Sequence, residues 1–144
     1  MSGWDTGHGV IALPDGRTVR GRPLGRHDAQ VADLTLVLLG RPPADDIVPG
    51  ELRWVRWRDF RAPWSTEGAL EALREAYARA ATHRVEVACR GGVGRTGTAL
   101  AALAVLGGVP AEDAVDWIRS RYHPRAVETP WQRRWVRGLP AGRA

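Results

Sequence analysis

Arg84-Val85-Glu86-Val87-Ala88, followed by Cys89-Arg90-Gly91-Gly92-Val93-Gly94-Arg95-Thr96-Gly97, decides how the chain is read. The first five residues are short and β-branched, as in a buried strand. An apolar helix comes next, from about Thr96 to Leu106, stopped by Gly107 and Gly108. A strand that enters a helix through glycines gathers several backbone N–H groups on one concave surface, and the helix start adds partial positive charge. Gly91, Gly92 and Gly94 allow close approach of an anion and positive φ where needed. The same field favours the thiolate form of a thiol at its centre. Arg95, six residues after Cys89, is spaced to curl over the pocket and hold two phosphate oxygens in a fork.

Outward from this loop, strands and helices alternate. Val10 to Val19 reads as a hairpin about the turn Pro14-Asp15-Gly16, and Gly21 to Asp33 as irregular chain. Leu34 to Leu39 (LTLVLL) is a continuous apolar run of strand length, closed by Gly40 and the Pro42-Pro43 pair. Leu52 to Trp57 alternates apolar with charged residues and reads as another strand. Ser65 is placed to cap a helix running to about Thr82, with Leu70, Leu73, Tyr77 and Ala80 on one face. Pro110 opens a further helix, with Ala114, Val115 and Ile118 inward, and a last helix spans Pro130 to Gly138. The pattern is that of an α/β layered fold around a central sheet.

The chain of 144 residues fits one domain, 1–144, with no repeat or linker. No stretch approaches the roughly 18 apolar residues of a membrane span, and the N-terminus lacks a signal-peptide layout. A soluble cytoplasmic protein is expected, with no membrane partner. A single cysteine excludes an internal disulfide and any CxxC pair. Such a cysteine is ordinarily a small buried hydrophobe; the loop around this one points elsewhere. Net charge is +5 and the sequence pI about 10.8, yet all 21 basic residues are Arg and they are dispersed. That is coding bias rather than a basic patch, so no nucleic acid is expected as partner. Guanidinium groups do suit an anionic substrate.

Two other phosphate motifs fail. A Walker A loop needs Lys, which the chain lacks. Gly92-x-Gly94-x-x-Gly97 matches the dinucleotide fingerprint literally, but the residues beyond it read as helix, two glycines and helix, with no second strand ending in an acidic residue. The segment instead resembles the Cys-x5-Arg-Thr loop of the protein tyrosine phosphatase and dual-specificity phosphatase superfamily, as found in a small bacterial member. The likeness extends over roughly Leu34 to Trp135 and is most specific at Cys89 to Gly97.

The resemblance implies roles residue by residue. Cys89 would be the nucleophile, and Arg90, Gly91, Gly92, Val93, Gly94 and Arg95 the phosphate cradle. Thr96 would donate to the departing thiolate. Trp57-Arg58-Asp59-Phe60-Arg61-Ala62-Pro63 is similar to the family's mobile acid loop, with Asp59 thirty residues before Cys89. Asp59 would protonate the leaving oxygen, its plainer alternative being a solvated turn residue. Ala126 to Gln132 resembles the segment in which the family places a glutamine beside the pocket. That would assign Gln132 to positioning water, against an exposed helix residue. Either Arg119 or Arg121 would brace the catalytic loop. Two departures stand out: Ala88 where the family usually has His, and Arg58 where it has Pro.

The implied fold is a central, mostly parallel sheet flanked by helices on both faces, dual-specificity-phosphatase-like, with an N-terminal β-hairpin. The implied activity is cofactor- and metal-free hydrolysis of a phosphomonoester through a cysteinyl-phosphate, with a phosphoprotein as partner. Two alternatives are a phosphatase for an inositol phosphate, lipid or RNA 5′-phosphate, using Arg90, Arg58 and Arg125, and a phosphate-binding module with little turnover. Oligomeric state is not readable from the residues.

Overall fold

A computed structural model describes residues 3–5 and 7–142. β1 (Val10–Ala12) and β2 (Thr18–Pro23) form the hairpin, followed by β3 (Leu34–Leu39), β4 (Glu51–Arg56) and α1 (Thr66–Arg79). Then come β5 (Val85–Cys89), α2 (Gly94–Leu106), α3 (Ala114–Arg121) and α4 (Pro130–Arg137). The five strands lie in the order β1-β2-β5-β3-β4, with β1 antiparallel to β2 and every other pair parallel. β5 thus runs down the middle, and its C-terminal end delivers Cys89 beside Pro23 of β2.

Each local choice has a cause. In the hairpin turn the Gly16 amide donates to the Leu13 carbonyl, and Gly16 takes a φ of 92°. Ser65 caps α1 by accepting from the Gly68 amide at 3.1 Å. β3 and β5 are buried on both faces, which is why neither alternates. α2 is apolar nearly all round because it is covered nearly all round, by the sheet and by α1, α3 and α4.

Alternate residues of the strands face two different cores. Leu34, Leu36, Leu38, Val85, Val87 and Cys89 join one cluster with residues from all four helices. Val37 and Leu39 face the other way, onto Val48, Leu24 and Leu52. The expected helices on both faces are therefore not found among the described residues: all four pack on one face, and loop segments cover the other. Under those loops Glu86 is buried and accepts from Arg20, Arg22 and Thr35, so the charge is fully partnered.

Two boundaries differ from expectation. β2 continues to Pro23, because residues 19 to 23 pair with β5. Pro110 opens a turn rather than a helix: the Asp113 amide donates to its carbonyl at 2.9 Å, and α3 starts at Ala114. No helix among the described residues is long and apolar enough to cross a membrane.

Candidate active site

Cys89 ends β5 as a buried residue, so its thiol points into the cradle rather than into solvent. Its Sγ accepts from the Gly92 amide at 3.2 Å and from Thr96 Oγ1 at 3.0 Å. Two donors, one from the backbone and one from a side chain, thus converge on one sulfur. The cradle glycines have separate reasons. Gly92 has a φ of 72°, and a Cβ there would lie 2.5 Å from the Pro23 nitrogen. A Cβ on Gly94 would collide with the Glu128 carboxylate. Gly91 meets nothing within 4 Å, so neither space nor φ requires it. Arg90 and Gly91 are exposed, Val93 is half-buried and caps α2, and Gly94 opens the helix.

Arg95 is buried in the first turn of α2 and donates from Nη1 to the Trp57 carbonyl at 3.0 Å. Its Nε lies 3.5 Å from Asp59 Oδ1 and is the buried side-chain donor left without a hydrogen bond among the described residues. A buried N–H of that kind calls for an acceptor. The segments around Asp59 and Cys89, separate in sequence, thus meet through one guanidinium. Asp59 itself is half exposed and accepts its neighbour Phe60's amide at 3.0 Å. A cleft of about 530 Å³ opens beside them, walled by Pro42, Pro43 and Ile47 and carrying Arg41, Arg90, Arg95 and Asp59.

The structure separates residues that the sequence leaves paired. Arg119 donates to the Ala126 and Val127 carbonyls at 2.8 and 2.7 Å, whereas Arg121 lies over the Trp117 ring. Arg119 therefore braces the segment packed against Gly97, where a Cβ would sit 2.5 Å from Ala126. Gln132 is not an exposed helix residue. It is wholly buried, its oxygen accepts from the Glu128 and Thr129 amides, and its nitrogen donates to the Arg61 carbonyl. The side chain that this segment does bring to the cradle is Glu128, against Gly94. Its cue in the sequence is a carboxylate four residues before Gln132, in the same resembling stretch. Arg58 lies between Gly40 and the Trp64 ring. Ala88 is fully buried between Arg22 and Val37, on the face away from the helices.

Tyr122 carries no mark of its role in the sequence. Its hydroxyl donates to the Gly92 carbonyl, and its ring fills the space that a side chain on Gly21 would need. Burial, then the neighbouring Cys89 and Glu86, push this phenol far above its ordinary range.

A strand, a thiol under converging donors, and an arginine shared with a carboxylate loop define a thiol-based phosphate site. The profile of the protein-tyrosine phosphatase family matches residues 27–126, spanning both Asp59 and the Cys89 loop, and the chain belongs to that family. It is a cysteine-dependent, protein-tyrosine-phosphatase-type hydrolase. Among solved structures it is similar to Tk-PTP in the active form, with 27% identity over 91% of this chain and 95% of that one, at a TM-score of 0.70. A mutant form of Tk-PTP is similar at 27% identity and a TM-score of 0.67, covering 90% and 93% of the two chains. No curated protein matches the chain.

Proposed function

We propose that the chain, acting as one domain, hydrolyses phosphoprotein esters of the phosphotyrosine or dual-specificity type through a cysteinyl-phosphate on Cys89. The Cys89 thiolate attacks phosphorus and the P–O bond to the leaving group breaks, while Asp59 gives its proton to the departing oxygen. The Gly92 and neighbouring amides and Arg95 stabilise the equatorial oxygens. Water then attacks phosphorus, Asp59 takes its proton, and the S–P bond breaks with Thr96 donating to the returning thiolate. The observation that carries this reading is the buried, unsatisfied Arg95 Nε beside a sulfur that accepts two hydrogen bonds. The cytoplasm, which keeps thiols reduced, suits such a nucleophile.

Turnover of an aryl phosphate in EDTA by wild type, Cys89→Ser and Asp59→Asn tests the mechanism. Loss of turnover in Cys89→Ser with retained vanadate or phosphate binding is expected. Undiminished activity in that variant removes the mechanism.

One observation favours a second substrate reading. Arg41 and Arg90 line the same cleft, and neither has a carboxylate partner among the described residues. Both are placed for a second anionic group, as on an inositol phosphate, a lipid headgroup or an RNA 5′-phosphate. Parallel kcat/KM measurements on phosphopeptides and on these phosphates rank the two readings.

A further inference from the structure

The acid loop is held by its backbone carbonyls from two sides. Arg95 takes the Trp57 oxygen from the phosphate loop. From the other side Thr129 Oγ1 donates to the Phe60 carbonyl at 2.9 Å, and Gln132 Nε2 to the Arg61 carbonyl at 3.3 Å. The Arg61 oxygen also accepts from Trp57 Nε1, which closes the loop on itself. Both directions are fixed by the partners. A carbonyl only accepts, so the Thr129 proton must point at Phe60, while its oxygen accepts from the Gln132 amide at 3.3 Å. Gln132 Oε1 faces two backbone N–H groups at 2.9 and 3.2 Å, so its NH₂ must face the loop.

Phe60 shows why such ties are needed. It sits at φ 64°, a left-handed conformation that costs a non-glycine residue about 1–2 kcal/mol, and its exposed ring supplies little packing to offset that. The peptide directly after Asp59 is held in this shape by the capping box at the start of α4.

Resting on the reading of Asp59 as the acid, we propose that Thr129 and Gln132 are positioning residues for proton delivery. They form a latch that holds residues 57–61 so that Asp59 stands over the phosphate loop. Neither touches the reacting atoms.

The test uses two esters. Phenyl phosphate needs its leaving oxygen protonated; dinitrophenyl phosphate releases a stable anion and does not. Thr129→Val is expected to lower kcat/KM for phenyl phosphate about 10–100-fold, and for dinitrophenyl phosphate less than about threefold. Thr129→Ser, which keeps the donor and the cap, restores the rate. Gln132→Met is expected to show the same split, which keeps the test open if Thr129→Val does not fold. In Asp59→Asn the latch variants add no further loss, because they act through that carboxylate. Equal losses on both esters, or additive losses in the double variant, overturn the latch and leave the Asp59 assignment standing. An Asp59→Asn protein with no leaving-group dependence overturns both.

Discussion

The Tyr122 hydroxyl donates to the carbonyl of Gly92, the residue whose amide donates to the Cys89 sulfur. One peptide unit on each side of Gly92 is thereby fixed, one by the nucleophile and one by a phenol from α3's end. Tyr122→Phe keeps the ring against Gly21 and removes only the hydrogen bond. It is expected to cost about 1 kcal/mol of stability and to slow turnover several-fold, measured by urea unfolding and kcat.

The same phenol sets an alkaline limit. Its pKa is raised from 10.0, first by burial and then by the Cys89 and Glu86 charges. A phenol that titrates higher in the folded than in the unfolded chain contributes its full stabilisation below the unfolded value and loses it as pH rises towards the folded one. Melting temperature should therefore fall more steeply above about pH 10 in wild type than in Tyr122→Phe, and in parallel below it.

Neighbouring glycines should respond oppositely. Gly92→Ala forces a left-handed alanine against the Pro23 backbone, and is expected to cost at least about 2 kcal/mol and most of the activity. Gly91→Ala enters open space and should stay within about 0.5 kcal/mol of wild type. Thermal melts of the two variants decide this.

Glu86→Gln removes the carboxylate that partners Arg20 and Arg22 beneath the loops. Arg22 would lose its counter-charge and Arg20 would keep only Asp28, 3.3 Å from its Nη1, at an expected cost of about 3–5 kcal/mol in urea unfolding. The cost should be smaller in Glu86→Gln/Arg20→Met, where one of those charges is also gone.

Arg119→Lys keeps the charge but not the two-pronged geometry on the Ala126 and Val127 carbonyls. Val127 is held at φ 65°, unusual for a β-branched residue, and that pair of bonds helps hold it. A drop of about 1–2 kcal/mol in stability is expected, with kcat falling as Glu128 leaves its place against Gly94.

Most of the site's skeleton is legible in residues close in sequence. LTLVLL at 34–39, the Ser65 cap and the strand–glycine–helix run through Cys89 depend on local backbone needs, and local needs leave local marks. Asp59 requires an inference across thirty residues, and only the folded chain brings it to 3.5 Å from Arg95. Gln132 is ambiguous in the sequence because a capping box and a pocket residue use the same side-chain amide; which way it faces depends on α4's docking against residues 57–61. The placement of all four helices on one face is likewise hidden. Strands β3 and β5 are apolar on both sides, and a buried strand does not reveal whether a helix or a loop covers it.

The nearly complete burial of α2 has a kinetic consequence. Its first turn carries Arg95 and Thr96, so both side chains belong to the segment expected to exchange its amide hydrogens only on global unfolding. Residues 57–61 are mostly exposed and tied by a handful of hydrogen bonds, and should exchange through small local openings. The segments around Cys89 and Asp59 thus run on separate clocks, a slow one for the first and a fast one for the second.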